Sequence, residues 1–256
     1  MKKHYYFTII PFFLSCFITG IAYAQAPENL VTAKQAVIHY YEDTTANQKT
    51  EFENDVTAIT QKAEAYLNEQ LAHKKETAKL AMVLDIDDTS VSNYSLLKSR
   101  DFKDSKEDYE KSYTDLSLPA IKPILALYNE AIKKGISVFF ITFRSTKNPQ
   151  IDIRANTIAT LNNAGYFGWS GIYLPNAAEA QEPSCVYKTK IRESLEKQGY
   201  TIVLNIGDQD GDLAGGHAEH IFKVPNPLYV VQSNCVLKRE NQYDRKQNLS
   251  NPTTVH

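Results

Sequence analysis

The chain has 256 residues, with 28 Lys and Arg against 30 Asp and Glu, a formal net charge of −2 and no long block of one sign. That balance excludes an electrostatic binder of nucleic acid polymers or a polybasic membrane surface, and leaves a small molecule as the expected partner. The length suffices for one good core with a small appendage.

Lys2 and Lys3 precede a largely apolar run over residues 5–21, which closes on Ala22, Tyr23 and Ala24. A basic start, an apolar stretch and a small-x-small ending form an export signal, with cleavage before Gln25. Pro11, Ser15 and Gly20 interrupt the run and argue against a membrane anchor. Residues 1–24 are expected to be a signal peptide, and the mature protein to be periplasmic or extracellular and off the membrane. Past the signal only Cys185 and Cys235 remain. An oxidising compartment permits a disulfide between them, and two buried free thiols are the other reading.

Two helices follow, at 32–41 and 52–71, the second marked by Phe52, Val56, Ile59, Ala63, Leu67 and Leu71 at helical spacing. The run 80–84 is unbroken apolar and ends in acidic residues, which predicts a fully buried strand opening into a polar loop. Helix and strand then alternate: helices at 119–134, 150–164 and 189–198, each closed by Gly135, Gly165 or Gly199, and strands at 136–141, 171–174, 201–206 and 221–224. This alternation predicts an α/β fold, a parallel sheet with helices on both faces, whose ligands gather at the carboxyl ends of the strands. Residues 94–118 are polar, charged and rich in tyrosine, too long for an ordinary connection. With the helical segment 25–79 they are expected to form a small, mainly helical cap on a catalytic core spanning 80–239, and residues 240–256 a polar tail.

The chemistry is expected where strands end. Asp85, Ile86, Asp87, Asp88 and Thr89 leave the first strand, and alternate carboxylates there can project toward one site. Phosphoryl transfer needs two: one to attack phosphorus, one to protonate the leaving alkoxide and then activate water. An isolated Asp-x-Asp would be an acidic turn or a helix cap. A second acidic cluster, Asn205-Ile206-Gly207-Asp208-Gln209-Asp210-Gly211-Asp212, follows another strand. Asp208 beside Asp85 and Asp87 would make an oxygen-rich site suited to magnesium. Thr142, ending the strand at 136–141, offers a hydroxyl and backbone amides to phosphate oxygens, with Arg144 near enough to help. Lys188, placed just before the helix at 189, would offset charge on phosphate and on Asp85.

In order and placement these segments resemble the haloacid dehalogenase superfamily, whose pattern is Asp-x-Asp-x-Thr, a strand-end Thr or Ser, a Lys, and Gly-Asp-x-x-x-Asp. Within it the chain looks like the secreted acid phosphatases of bacterial classes B and C and the plant vegetative storage proteins. That closer likeness rests on residues 83–89, on Tyr187-Lys188, on Asn205-Ile206-Gly207-Asp208-Gln209 and on Lys223-Val224-Pro225-Asn226-Pro227. The resemblance implies a phosphomonoesterase acting on small phosphomonoesters, nucleoside monophosphates among them, with a Rossmann-like core. It implies Asp85 as nucleophile, Asp87 as acid and base, and magnesium on Asp85, Asp87 and Asp208 with Asp212 in support. Phe143 departs from the pattern, standing where many relatives carry a small residue.

Two other classes compete. A storage or interaction protein would keep the fold with a vestigial site, yet Asp85 is present. A calcium-binding loop is suggested by Asp208, Asp210, Asp212 and Glu219, which occupy EF-hand places one, three, five and twelve, but Leu213 stands where that loop needs Gly. The cap tyrosines Tyr94, Tyr109 and Tyr113 either stack on a nucleobase or pack within the cap.

Overall fold

In a computed structural model, residues 29–73, 78–103, 105, 112–146 and 148–231 are described. The segments expected to be a signal peptide and a polar tail, with Tyr109 and Cys235, lie outside them. Five parallel strands run β1 (Lys79–Leu84), β2 (Ser137–Ile141), β3 (Gly171–Tyr173), β4 (Tyr200–Gly207) and β5 (His220–Lys223), in spatial order β3-β2-β1-β4-β5. β1 is therefore central, and the order reverses across it. This is the α/β sheet that the alternation predicts.

The two faces of β1 explain its unbroken apolar run. Leu80, Met82 and Leu84 pack into the larger core cluster, while Ala81 and Val83 pack into the smaller one on the other face. The larger cluster is roofed by α2 (Glu51–His73), through Val56, Ala63 and Leu67, and by α4 (Lys122–Lys133), through Ile124, Leu127, Tyr128 and Ala131. Leu161 of α5 (Ile153–Asn163) joins them. Truncating a buried leucine such as Leu67 to alanine in such a core costs about 2 to 5 kcal/mol. On α2 the buried row runs Phe52, Val56, Thr60, Ala63, Leu67, so Thr60 replaces the expected Ile59. The Thr60 hydroxyl is satisfied within the helix, donating to Thr57 O at 3.0 Å, which lets a polar residue face the core.

α1 (Leu30–Glu42) is nowhere fully buried and lies toward the insert. Tyr41 stacks between Phe52 (centroids 4.4 Å apart) and Tyr94 (4.3 Å), the first residue of α3 (Tyr94–Ser99). Tyr94 is buried and donates its hydroxyl to Glu42, so it packs the junction. The smaller face of the sheet is covered by α6 (Ser184–Lys197), whose Tyr187, Ile191 and Leu195 recur every four residues. This helix begins five residues earlier than its expected start at 189. Pro183 caps it, fixing φ where the first turn needs it, so Lys188 lies within the helix and not ahead of it. Cys185, in its first turn, is disulfide-bonded to a partner outside the described residues. No helix among the described residues is long and apolar enough to cross a membrane.

Candidate active site

The carboxyl end of β1 delivers Asp85, whose backbone N–H still pairs with Ile206 O of β4 at 3.0 Å. The ladder thus fixes Asp85 against the last turn of β4, from which the second acidic cluster emerges. Asp85, Asp208 and Asp212 are all buried, each with an oxygen within 4.8 Å of the others. Lys188 reaches them from α6, donating to Asp85 Oδ1 and, at 2.7 Å, to Asp212 Oδ1. One ammonium thus pairs with two of the three carboxylates, and Asp208 has no cation beside it among the described residues.

Two local features make that convergence possible. α7 (Asp210–Leu213) is a single turn that folds Asp212 back, where it accepts from Gln209 N at 2.9 Å. A Cβ on residue 207 would lie 2.4 Å from Asp212 Cβ, so only glycine fits at Gly207. The loop beyond is clamped by Arg192, one turn past Lys188, which is completely buried. It donates to Asp212 O at 2.8 Å, to Gly216 O at 2.9 Å and to Ala214 O. Burial pushes the Arg192 guanidinium down to about 10, against the pull of Asp212 and Glu196.

The excess of negative charge shows in the titration of the cluster. Burial, reinforced by Asp212 and Asp208 against the opposing pull of Lys188, raises the Asp85 carboxyl well above its usual range. Burial together with Asp212 and Asp88 lifts Asp208 to about 7. Carboxylates in this condition take up protons or a cation. An all-oxygen donor set, buried and short of positive charge, fits a divalent metal ion.

Asp87 belongs to a different arrangement. Arg144 grips both of its oxygens, Nε to Oδ2 at 2.8 Å and Nη2 to Oδ1 at 2.7 Å, and Asn93 Nδ2 adds a bond to Oδ1 at 3.0 Å. Burial works to raise the Asp87 carboxyl, but the Arg144 charge and hydrogen bonds outweigh it and hold the group below the usual carboxylate range. The resemblance names Asp87 with Asp85, Asp208 and Asp212 as metal residues; in the structure Asp212 joins Asp85 and Asp208, while the Asp87 carboxylate pairs with Arg144. Thr142, buried after β2, accepts from Arg144 N at 3.2 Å and so sits on the Asp87 side. Arg144 Nη1 is buried without a hydrogen-bond partner, and the Tyr113 ring lies 5.3 Å from the guanidinium carbon. Phe143 is half-buried, its ring 5.9 Å from that of Tyr187.

The EF-hand spacing does not assemble. Asp210 turns outward to an ion pair with Lys223, while Asp212 turns inward to Lys188. Asn93, Arg192 and Tyr229, which no motif marked, also reach the site, as does Asn226 of the segment 223–227. Their one legible signal is that Asn226 and Tyr229 follow the last strand, at the same sheet edge as Asp85 and Asp208.

Comparison with known proteins agrees with this geometry. The family described as "HAD superfamily, subfamily IIIB (Acid phosphatase)" matches residues 19–232. A stem 28 kDa glycoprotein of Glycine max is 33% identical over 80% of this chain and 76% of its own. Vegetative storage protein 2 of Arabidopsis thaliana is 32% identical over 76% of this chain and 71% of its own. Acid phosphatase 1 of Solanum lycopersicum is 31% identical over 58% of each chain. Among solved structures, a class C acid phosphatase from Bacillus anthracis shares the fold, with a TM-score of 0.59 at 20% identity over 79% of this chain and 87% of that one.

Proposed function

The chain belongs to the subfamily IIIB acid phosphatases of the haloacid dehalogenase superfamily, phosphomonoesterases by family, and from that premise we propose that it works through a covalent aspartyl phosphate on Asp85 with magnesium in the acidic cluster. The observation that carries this reading is the meeting of Asp85, Asp208 and Asp212, two of which, Asp85 and Asp212, share the ammonium of Lys188.

An Asp85 oxygen attacks phosphorus in line with the ester oxygen, forming the Asp85–phosphorus bond as the ester bond breaks. The leaving alkoxide takes a proton from Asp87, and the resulting carboxylate accepts a proton from the water that hydrolyses the acyl phosphate. With Arg144 bound, Asp87 stands as the carboxylate of the second step, so the first step requires that Asp87 take up a proton as Arg144 turns to the phosphoryl oxygens. Lys188 offsets charge on Asp85 and on the phosphoryl oxygens, and the Thr142 hydroxyl and the Arg144 guanidinium hold those oxygens in place. Asp85, Asp208 and Asp212 would hold a divalent cation such as magnesium, which would supply further positive charge against the phosphoryl group.

The substrates are small phosphomonoesters, with nucleoside monophosphates among them, and the protein is exported by residues 1–24. Storage-protein relatives favour a second reading, a reserve protein that retains the fold, and the presence of Asp85 weighs against a silent site. A panel of aryl, sugar and nucleoside monophosphates, assayed at mildly acidic and neutral pH with and without magnesium, decides between them. Release of phosphate from none of the panel under any condition would leave the storage reading.

A further inference from the structure

β5 is an edge strand, and its pairing with β4 continues past its end, Val224 N donating to Gly207 O at 2.9 Å. Past that bond, residues 225–231 reach the loops at the strand ends that carry Asp85, Asp87 and Asp208. Asn226 Nδ2 donates to Asp208 Oδ2 at 2.7 Å. Tyr229 donates its hydroxyl to Asp88 Oδ2 at 2.8 Å. Val231 N donates to Gln209 Oε1 at 2.8 Å, and Gln209 Nε2 donates in turn to Asp208 Oδ2 at 2.5 Å. One short segment is thus tied to both acidic loops.

The Asn226 amide is oriented by its own backbone. Its Oδ1 accepts from Leu228 N at 2.8 Å and from Tyr229 N at 3.4 Å, so a flipped amide would lose those bonds and turn oxygen against a carboxylate. Asp208 is thereby held on three sides: two amides on Oδ2, and Thr89 Oγ1 on Oδ1 at 3.0 Å. All three donors are neutral. A lysine or arginine in their place would discharge Asp208, whereas amides and a hydroxyl aim it and leave its negative charge for a cation. The Tyr229 bond anchors the far end of the segment on the loop that carries Asp85, since Asp88 also accepts from Asn93 N at 2.8 Å and closes that loop with Val91 O at 2.7 Å.

We propose that residues 225–231 are a positioning strap for the cation site, in which Asn226 aims Asp208 and Tyr229 fixes the strap to the Asp85 loop. The inference rests on the cation reading given under Proposed function. Its test is manganese(II) binding to the chelator-stripped full-length protein, followed by the loss of the free-ion electron paramagnetic resonance signal, with melting temperature measured in parallel. Loss of a partner that orients a metal ligand typically weakens binding about 10- to 100-fold, and Asn226→Ala is expected in that range. Tyr229→Phe, which removes one oxygen atom, should weaken it by less and in the same direction. Val230→Ala, at a residue 81% exposed, should bind as wild type. Manganese affinity unchanged in both Asn226→Ala and Tyr229→Phe overturns the strap. So does a lowered melting temperature with unchanged affinity, which would make the segment merely structural. Should Asn226→Ala fail to fold, Tyr229→Phe alone decides by the same criterion. Asp208→Asn separates the two levels: if it too binds manganese as wild type, the cation site itself is misplaced, and if it alone loses binding, only the strap is wrong.

Discussion

On the β4 side of β1, three carboxylates meet one ammonium, which pairs with two of them; on the β2 side, one guanidinium pairs with one carboxylate. The first group of charges does not balance, and Asp85 and Asp208 are pushed toward protonation, whereas Asp87 is held toward the ionised form by a two-point pair. A buried, unbalanced cluster gains from a cation, and a buried, balanced pair does not. The two halves of one site should therefore respond to different things, the β4 side to metal ions and the β2 side to pH and leaving group.

Removing the nucleophile tests whether the β4 side carries the chemistry at all. Asp85→Asn keeps the shape and removes the attacking charge, and a lost covalent nucleophile ordinarily costs several powers of ten. Turnover is expected to fall below about one per cent for aryl and alkyl phosphates alike, with the melting temperature close to wild type. Activity above that level would reduce Asp85 to a metal ligand.

Asp87→Asn should break the symmetry between substrates. An alkyl leaving group needs a proton as its bond breaks, and losing the acid should cost roughly 10²- to 10⁴-fold. An activated aryl leaving group needs little, so its loss should be much smaller. Equal losses on both would remove Asp87 from the acid role.

Chelation should act on the β4 side alone. Magnesium added to stripped protein is expected to restore turnover and, at about 100 times its dissociation constant, to stabilise the fold by about 2.7 kcal/mol. For a chain of this size that raises the melting temperature by several degrees, at roughly 2 to 4 °C per kcal/mol. Calcium should bind and inhibit, because it accepts six to eight ligands and draws in both oxygens of Asp85. Activity restored equally by calcium, or a magnesium-induced shift that survives in Asp208→Asn, would contradict the assignment.

The unequal legibility of the molecule follows the same division. The strands were legible because burial on both faces writes an unbroken apolar run, as in residues 80–84, and the motif residues because they follow those runs directly. The start of α6 was not, since Ser184 and Cys185 carry no helical signature and only Pro183 marks the turn. Neither was the pairing of charges. Which carboxylate Arg144 takes depends on a contact 57 residues away in sequence, and the Tyr229 contact to Asp88 spans 141. No local spacing encodes such partners.

The smallest expected effect sharpens the comparison most. Arg144→Lys keeps the positive charge on the β2 side but replaces a planar fork with a single point, so the two-point grip on Asp87 is lost. Burial of Asp87 continues to oppose ionisation while the opposing pull weakens, and its carboxyl must therefore titrate at a higher pH than in the wild type. A higher value means that more of Asp87 is protonated at any given pH, and the acid form is the one an alkyl leaving group requires. The descending limb of the pH profile for alkyl phosphates should move upward, with peak turnover changed by less than about tenfold. The aryl profile should barely move. Asp85, Asp208 and Asp212 share no hydrogen-bond partner with Arg144. Lysine keeps the positive charge that acts on Asp85 across the site, so the half-saturating magnesium concentration should stay within about twofold of wild type. A limb that stays in place or moves downward would mean that Arg144 does not govern the Asp87 proton. A large change in magnesium requirement would mean that the two halves of the site are coupled after all.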